Sequence, residues 1–271
     1  MKKFGVVGHR GKLGSLLTRR VDFVPLDCDI THPASIEFAI SRLSEPIDLI
    51  VNCAGISSID ECELNYKKAV DVNVHGLINL FDVFGKRVLN ISSDHIFSGK
   101  SWWPPGDNTK PSPINAYGFT KLACEEYTRR FSGKTIRLSR VVSLFDPDIV
   151  EYIRLVNNGM EIQVPTFFYR NYIHREFAVD GIEFMAANWD SIKYDTVNYA
   201  GTDNFSMYLF MSTLVGNLNM DTDLVKPRDE YKFHTPRPKR GGLNIGLAKK
   251  LGFPMHPIAD TMSMLVDDYY A

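Results

Sequence analysis

The chain has 271 residues, of which 44% are hydrophobic and 23% are charged, a composition typical of one globular α/β domain with or without a smaller appendage. Its 31 Lys and Arg residues nearly balance its 32 Asp and Glu residues, so no overall basic field favours binding to nucleic acid or to a membrane. The four cysteines form no Cys-x-x-Cys pair, and no apolar run approaches the roughly 18 residues that a membrane span requires. We therefore expect a reduced, metal-free protein of the cytoplasm without a signal peptide.

The first structural signal is a strand over residues 3–7 that runs into residues 8–14 (GHRGKLG), with a helix expected from there to about Arg20. A strand, a glycine-rich turn and a helix start favour a nucleotide phosphate, because the backbone approaches the anion closely and N–H groups point at it. A tight turn between strand and helix, without a ligand, is the alternative interpretation. Within the turn, Arg10 is suited to pair with a 2′-phosphate, which favours NADP(H) as cofactor with NAD(H) as the alternative.

A second strand over residues 23–26 is followed by Asp27 and Asp29, either of which is placed to hold a ribose hydroxyl. Residues 35–43 have the pattern of an amphipathic helix, with Ser35 or Thr31 near its cap. Residues 49–55 have the pattern of a buried parallel strand that ends in small residues. The small residues 53–55 at its carboxyl end leave room for a cofactor across the sheet.

A helical block is expected over residues 64–84, and residues 87–92 form another apolar strand that leads into residues 92–99 (SSDHIFSG). A hydroxyl group at the carboxyl end of a strand can hydrogen-bond to a substrate carbonyl and polarise it, which is the role we expect for Ser93. A Ser-Ser turn stabilised by the following Asp is the alternative interpretation. A Pro-rich loop over residues 102–113 then leads to Tyr117.

Tyr117 and Lys121 are four residues apart in the segment 115–121 (NAYGFTK), so on a helix they share one face. A phenol is a poor acid–base catalyst at neutral pH unless a nearby cation favours the phenolate, and the Lys121 ammonium supplies that cation. A half-buried tyrosine beside a solvated lysine is the alternative. The spacing alone does not distinguish the two.

The combination of these motifs resembles the extended short-chain dehydrogenase/reductases, and in particular the dTDP-4-dehydrorhamnose reductase family. The glycine loop, the Asp-Ile-Thr and Val-Asn-Cys-Ala-Gly segments, Ser-Ser-Asp-His-Ile-Phe-x-Gly and Pro-x-Asn-x-Tyr-Gly-x-Thr-Lys occur in the order of that family over residues 3–142. The resemblance implies a doubly wound parallel sheet of the Rossmann type. Residues 1–142 would bind NADP(H) and carry the catalytic residues, and residues 143–271 would mainly bind substrate, with segments that return to the sheet.

The resemblance also implies roles for matching positions. Ser93 would polarise the carbonyl group, Tyr117 would donate the proton, and Lys121 would bind the nicotinamide ribose and lower the pKa of Tyr117. Asp29 and Ile30 would lie beside the adenine, and Asn73 would support the backbone near the site. The expected cofactor-binding residues are Gly8, Arg10, Gly11, Lys12, Leu13, Gly14, Asp29, Ile30, Cys53, Ala54, Gly55, Tyr117 and Lys121, and the expected substrate-binding residues are Ser93, Asp94, His95, Arg140 and Arg237.

Two positions depart from the family. His95 stands where the reductases usually carry Tyr, and Arg140 stands where the rhamnose enzyme carries a Trp that lines the sugar site. A guanidinium in place of an aromatic wall changes which ring or anion the site accepts, so the sugar itself is open. Sugar-nucleotide dehydratases carry Asp-Glu after the catalytic hydroxyl residue, and this chain has Asp94-His95 instead, so we do not expect dehydration.

The remainder of the chain is less regular. We expect helices over residues 148–158, 177–187, 244–251 and 258–270, a strand over 161–165, and a return to the sheet over 196–200. Residues 170–174 (RNYIH) resemble the Arg-x-Phe-Ile-His segment of the extended family, where His174 is either a base or a packing residue. Basic residues crowd residues 226–240 and suit a nucleoside diphosphate, or form a solvated loop. The last helix carries an apolar stripe for core packing or for a homodimer.

The predicted function is therefore the NADPH-dependent reduction of a keto group on a nucleotide-linked deoxysugar. Two alternatives stay open. An epimerase or epimerase-reductase similar to GDP-fucose synthase would need an acid–base pair beside the sugar, for which His95 and His174 are the candidates. A regulatory subunit similar to the β subunit of methionine adenosyltransferase would keep the motifs without catalysis.

Overall fold

The computed structural model describes residues 2–85, 87–230 and 232–271. The strands are β1 (Phe4–Val7), β2 (Phe23–Leu26), β3 (Leu49–Asn52), β4 (Val88–Ser93), β5 (Lys134–Leu138), β6 (Arg140–Val142), β7 (Ile162–Pro165), β8 (Tyr169–His174), β9 (Thr196–Tyr199), β10 (Asn204–Ser206) and β11 (Val225–Arg228). The helices are α1 (Gly14–Leu17), α2 (Pro33–Ser41), α3 (Ile59–Leu64), α4 (Tyr66–Val70), α5 (Gly76–Phe84), α6 (Ala116–Arg130), α7 (Pro147–Asn157), α8 (Arg175–Ala187), α9 (Met207–Asn217), α10 (Gly246–Lys250) and α11 (Ile258–Tyr270). In these ranges, no helix is both long enough and apolar enough to cross a membrane.

A parallel sheet with strand order β2-β1-β3-β4-β5-β9 forms the centre of the molecule. The order reverses between β1 and β3, which is the switch point where open α/β sheets bind ligands. The fold class predicted from the sequence is confirmed. The expected return of residues 196–200 to the sheet is found as β9, which pairs with β5 at the edge.

The alternating direction of apolar side chains along each strand explains why helices cover both faces of this sheet. Val6 and Val51 pack with α1 and α8 on one face, whereas Val7 and Ile50 pack with α2, α5 and α6 on the other. Successive side chains of a strand point to opposite faces, so a strand buried on both faces must be apolar at nearly every position. Each of these four side chains is fully buried.

Most of the elements after β5 form a smaller lobe next to the carboxyl ends of the strands. Two short sheets, β10-β8-β6 and β11-β7, share an apolar cluster with α7, α9 and α11. Met262 and Leu265 of α11 belong to this cluster and are buried, so this helix uses its apolar stripe inside the chain. The lobe joins the main sheet through the continuous segment from β5 to β6.

Several helix boundaries differ from the prediction, and three of the differences have a visible cause. Helix α1 ends at Leu17, because the hydrogen bonds that follow, from the N–H groups of Arg19 and Arg20, span three residues rather than four. Helix α2 begins at Pro33, and the hydroxyl of Ser35 accepts from the N–H of Asp29 instead of capping the helix. The expected block over residues 64–84 begins earlier and is divided at Asn65, which adopts a non-helical conformation.

A buried ion pair fixes the helix that carries Tyr117 to the sheet. Arg137 on β5 donates to both carboxylate oxygens of Glu125 on α6, at 2.9 and 2.7 Å, and the two side chains are only 6% and 8% exposed. Arg137 also donates to the carbonyl of Asp107 in the Pro-rich loop at 2.9 Å. The pair thus joins helix, strand and loop, and removal of one partner would leave a buried charge uncompensated.

Replacement of Glu125 by Gln tests this ion pair. We expect the Glu125→Gln variant to lose about 3 kcal/mol of the free energy of unfolding, because the Arg137 charge stays buried without its counter-ion. The matched control is Glu151→Gln, which breaks the exposed pair with Arg154 on α7 and should leave stability unchanged. Urea unfolding of the three proteins measures both effects, and equal losses in the two variants would contradict the proposed importance of the buried pair.

Candidate active site

A cleft of about 330 Å³ opens at the carboxyl ends of the central strands, where the main sheet faces the smaller lobe. The loop after β1, the segment after β3, the end of β4, the first turns of α6 and the segment from β5 to β6 all contribute to it. Of the residues predicted from the sequence, those that line this cleft are Gly11, Lys12, Leu13, Cys53, Ala54, Gly55, Ser93, Asp94, His95, Tyr117, Lys121 and Arg140.

Gly8 and Gly14 lie behind the cleft and shape the loop. Gly8 has φ +70°, and a Cβ atom there would lie 2.5 Å from the backbone nitrogen of Ala54. A Cβ atom on Gly14 would lie 2.3 Å from the carbonyl oxygen of Gly8. Only glycine fits at both positions. The loop is therefore pressed against the end of β3, and it leaves a cradle for an extended ligand, which fits a dinucleotide.

Arg10, Asp29 and Ile30 do not line the cleft. Arg10 is exposed and pairs with Asp27 after β2, with Nη2 and Oδ2 2.7 Å apart. The carboxylate of Asp29 accepts from the N–H and hydroxyl of Thr31, at 2.9 and 2.7 Å, and closes its own turn. The Ile30 side chain is buried in the core, so only its backbone is available to a ligand.

Tyr117 and Lys121 share one face of α6, as their spacing predicts. The Lys121 ammonium lies 5.9 Å from the centroid of the Tyr117 ring and donates to the carbonyl of Ile91 at 2.9 Å. Burial raises the pKa of Tyr117, although the Lys121 charge and a hydrogen bond with Ser93 both act to lower it. Tyr117 is thus a protonated donor at neutral pH, and the predicted lowering by Lys121 is present but outweighed by burial.

Asp94 is buried and is bound by groups of the protein itself. Its Oδ2 accepts from the Ser139 hydroxyl at 2.9 Å and from the Gly242 N–H at 3.1 Å, and lies 3.4 Å from Nε of Arg170. Ser93 donates to the other oxygen at 3.3 Å. Burial raises the pKa of Asp94, but the charge of Arg170 and the hydrogen bonds from Gly242 and Ser139 bring this pKa below its ordinary value. Asp94 organises the site from behind, next to the Ser93 hydroxyl.

The start of α6 shows residues that the sequence analysis did not select. Asn115 caps the helix by accepting from the N–H of Gly118 at 2.8 Å. A Cβ atom on Gly118 would lie 2.3 Å from the carbonyl oxygen of His95, so the glycine allows the helix to touch the turn that follows β4. An Asn directly before a helix is a recognisable cap signal. The requirement for Gly118 depends on a contact with a distant segment and leaves no local signal.

Asn73 supports the segment after β3. Its Oδ1 accepts from the N–H of Ile56 at 2.7 Å, and its Nδ2 donates to the carbonyl of the same residue and to the Thr120 hydroxyl, both at 3.1 Å. One buried amide therefore links a π-helical turn at Asp71–His75 to helix α6. This is the supporting contact that the resemblance implies.

A side pocket of about 110 Å³ continues from the cleft into the smaller lobe, and we call it the arginine pocket. Arg140, Arg170 and Arg237 line it together with aromatic rings that include Phe168 and Phe233. Each guanidinium is paired in the structure: Arg140 with Asp148 at 2.7 Å, Arg170 with Asp94, and Arg237 with Asp60 at 2.9 Å. Of the basic residues in the loop before Gly241, Arg237 is thus the one at the pocket.

His174 lies away from both cavities. Its ring is fully buried, its Nε2 is 3.2 Å from a carboxylate oxygen of Asp268, and its Nδ1 accepts from the N–H of Glu176 at the start of α8. Burial lowers the pKa of His174, while Asp268 acts to raise it. These contacts are those of a packing and capping residue rather than of a base beside the substrate.

Lys12 connects the glycine loop with the smaller lobe. Its ammonium contacts the carboxylate of Asp146, which lies just before α7 and is buried. The second oxygen of that carboxylate has no hydrogen-bond partner among the described residues, but it lies 3.6 Å from Arg140. Two cations at the cleft therefore share one buried carboxylate.

Replacement of Gly8 by Ala tests the cradle. Gly8 and Gly159 have nearly the same φ, +70° and +71°, but nothing lies within 4 Å of a Cβ atom on Gly159. Both variants pay the backbone strain of about 1–2 kcal/mol, and Gly8→Ala also collides with Ala54. We expect Gly8→Ala to lower the free energy of unfolding by about 1–3 kcal/mol more than Gly159→Ala in urea titrations. Equal losses would show that the loop is not pressed against β3.

The family described as "RmlD substrate binding domain" matches residues 2–270. A dTDP-4-keto-6-deoxy-D-glucose reductase of Streptomyces niveus is 37% identical over 103 residues, which are 37% of this chain and 35% of that protein. A dTDP-4-dehydrorhamnose reductase of Mycobacterium tuberculosis is 31% identical over 138 residues, 45% of this chain and 43% of that protein. The chain thus spans less than half the length of these curated relatives.

A solved structure covers the chain more fully. The dTDP-4-dehydrorhamnose reductase of Bacillus anthracis, crystallised in complex with NADP, superimposes with a TM-score of 0.87 over 98% of this chain and 99% of that chain, at 22% identity. This likeness shows that the two proteins share the fold. Because the family match extends over nearly all 271 residues, the chain belongs to the RmlD substrate-binding domain family.

Proposed function

We propose that the chain is an NADPH-dependent reductase that acts on a keto group of a nucleotide-linked deoxysugar. The observation that carries this proposal is the convergence of Ser93, Tyr117 and Lys121 at one cleft beside the glycine loop. A proton donor, a hydrogen-bond donor for the carbonyl oxygen and a cation are the groups that ketone reduction requires. The similar proteins from S. niveus and M. tuberculosis are reductases of dTDP-linked sugars, which favours a thymidine nucleotide in the substrate of this chain.

In the proposed reaction, NADPH supplies the hydride to the carbonyl carbon of the sugar. Tyr117 donates its phenolic proton to the carbonyl oxygen, and Ser93 holds that oxygen by a hydrogen bond. The raised pKa of Tyr117 keeps the phenol protonated before the reaction. The Lys121 ammonium, held by the carbonyl of Ile91, stabilises the phenolate that forms when the proton leaves.

The proposed cofactor site follows the glycine loop and the segment after β3. In the described part of the chain, the N–H groups of Lys12, Leu13 and Gly14 donate to no backbone carbonyl, which suits a pyrophosphate. Cys53, Ala54 and Gly55 would lie beside the adenosine ribose, and Asp29 and Ile30 near the adenine. Arg10 would exchange its exposed partner Asp27 for the 2′-phosphate of NADPH, and NAD(H) remains the alternative cofactor.

The proposed substrate end is the arginine pocket. Aromatic rings suit a nucleoside base, and guanidinium groups suit its diphosphate. Arg140 and Arg237 would take this role, with His95 between the pocket and Tyr117. We propose residues 1–142 as the cofactor unit and residues 143–271 as the substrate unit, of which α8 packs on the main sheet and β9 forms its edge strand.

Epimerisation has less support than reduction. It needs a base beside the sugar in addition to an acid, and His174 is buried against Asp268. Burial lowers the pKa of His95 to about 4, and Asn115 binds the Nδ1 atom of its ring. Exchange of substrate C–H for deuterium without reduction would favour the epimerase. Copurification with an unrelated catalytic subunit, without turnover of any sugar, would favour a regulatory subunit.

The cytoplasm is the proposed compartment, because Cys28, Cys53, Cys62 and Cys124 are all free thiols. Burial raises the pKa of Cys53 to about 12, so it is not a reactive thiolate at the site. The homodimer suggested by the stripe on α11 has little support from that stripe, since Met262 and Leu265 pack within the chain.

Replacement of Tyr117 by Phe tests the reaction. We expect turnover of NADPH with 4-keto-6-deoxy nucleotide sugars, followed at 340 nm, to fall by about 10²–10⁴-fold in Tyr117→Phe, while the affinity for NADPH changes little. The control is Tyr127→Phe, which removes a phenol from the same helix, stacked on Phe131 and outside the cleft, and should keep full activity. Undiminished turnover in Tyr117→Phe would exclude the proposed proton donor.

A further inference from the structure

His95 lies on the short turn Asp94–Ile96 after β4, and its buried side chain stands where the main cleft meets the arginine pocket. Its ring contacts the Tyr117 ring edge-on, with 5.6 Å between centroids. A ligand that reaches Tyr117 from the arginine pocket must therefore pass His95. Which ring nitrogen carries the proton decides what His95 offers to that ligand.

The amide of Asn115 fixes the position of this proton. Its Oδ1 accepts from the N–H of Gly118 at 2.8 Å, and its Nδ2 donates to the carbonyl of Pro236 at 2.9 Å, so both backbone partners require the same amide orientation. Nδ2 then has a second proton, which faces Nδ1 of His95 at 3.2 Å. A nitrogen that accepts a hydrogen bond must have a free lone pair, so the ring proton lies on Nε2.

The charges around the ring keep it in this neutral form. Burial lowers the pKa of His95 to about 4; Asp94 acts to raise it, and Arg170, Arg237 and Arg140 lower it further. The Nε2–H group has no acceptor within the ranges that the structure describes, and the ring borders both cavities. The donor is thus left for a ligand.

We propose that His95 is a specificity-determining residue whose Nε2–H donates a hydrogen bond to an oxygen of the sugar, and that Asn115 is the positioning residue that holds the proton on Nε2. The inference rests on the proposed function, because the sugar is the part of the substrate that must reach Tyr117. The Tyr usual in the family carries a hydroxyl that rotates and can donate or accept. His95 only donates, along one fixed direction, and so selects a sugar with an acceptor oxygen at that point.

Binding of dTDP-rhamnose and of dTDP, measured by calorimetry, tests the contact. We expect His95→Phe, which removes the donor, to weaken the binding of dTDP-rhamnose about tenfold and the binding of dTDP less than twofold, because only dTDP-rhamnose carries the sugar. His95→Gln places an amide N–H near the position of Nε2, so its affinity for dTDP-rhamnose should stay within about threefold of that of the wild type. A role in packing alone would not distinguish the two ligands.

The ¹⁵N NMR shifts of the His95 ring test the proton independently of activity. We expect the wild type to show the Nε2–H form, unchanged between pH 6 and 8, in agreement with the low pKa. Asn115→Asp keeps an oxygen to cap Gly118 but replaces the donor to Nδ1 by an acceptor. We expect this variant to move the ring proton to Nδ1, which leaves Nε2 without a proton, and to weaken the binding of dTDP-rhamnose as much as His95→Phe does. A ring charged at both nitrogens would keep the Nε2–H donor, and unchanged binding of dTDP-rhamnose by such a variant would agree with the proposed contact.

Four results would overturn the assignment: an Nδ1–H ring in the wild type, no binding of dTDP-rhamnose by the wild type, unchanged binding by His95→Phe, or equal losses for dTDP and dTDP-rhamnose. Failure of the proposed function has a different signature. In that case the wild type oxidises no NADPH with any sugar, while the ring tautomer and the affinity ratio of the two ligands still decide the role of His95.

Discussion

The buried carboxylate of Asp94 is the interaction on which the arrangement of the cleft depends. It joins the end of β4, the residue between β5 and β6, Arg170 on β8 and the backbone at Gly242, so that segments about 150 residues apart meet at one group. A buried carboxylate without partners would be protonated or would unfold the site. With Arg170 and its hydrogen bonds it keeps its charge, and it holds the main sheet and the smaller lobe in one geometry.

The helix that carries Tyr117 docks on this frame through contacts that tolerate little change. Asn115 caps the start of helix α6, Gly118 touches the His95 carbonyl, and the pair of Glu125 and Arg137 ties the helix to β5. These three contacts are spread over nearly three turns, so the helix cannot rotate without breaking one of them. Tyr117, between the cap and the glycine contact, therefore faces the cleft because the helix is fixed on both sides of it.

The sequence predicts those parts of the site that depend on local spacing. Tyr117 and Lys121 share a face because a helix brings residues four apart together, and the glycine loop follows from a strand, a turn and a helix in succession. The sequence does not reveal that Asp94 faces inward to Gly242, because this contact joins segments that are distant in the chain. It also does not reveal that Arg10 pairs with Asp27, because the Arg10 side chain can adopt several conformations in an exposed loop. His174 shows the converse. Arg170 and His174 lie four residues apart on β8, so alternation places both on one face of the strand. Their distance along the strand separates them: Arg170 lies at Asp94, whereas His174 is fully buried against Asp268.

The arginine pocket shows how such a site can select a ligand without a strong electrostatic field. Arg140, Arg170 and Arg237 each face a carboxylate, so the pocket carries little net charge before a ligand binds. A diphosphate that enters must share the guanidinium groups with these carboxylates or displace the carboxylates. Its binding free energy then includes only the difference between the charge-assisted contact that it forms and the ion pair that it disrupts. The pocket therefore attracts anions in general only weakly. Discrimination between ligands then depends on groups whose hydrogen bonds have a fixed direction. A neutral histidine held by an amide is such a group, because its hydrogen bond is lost when the acceptor oxygen lies elsewhere.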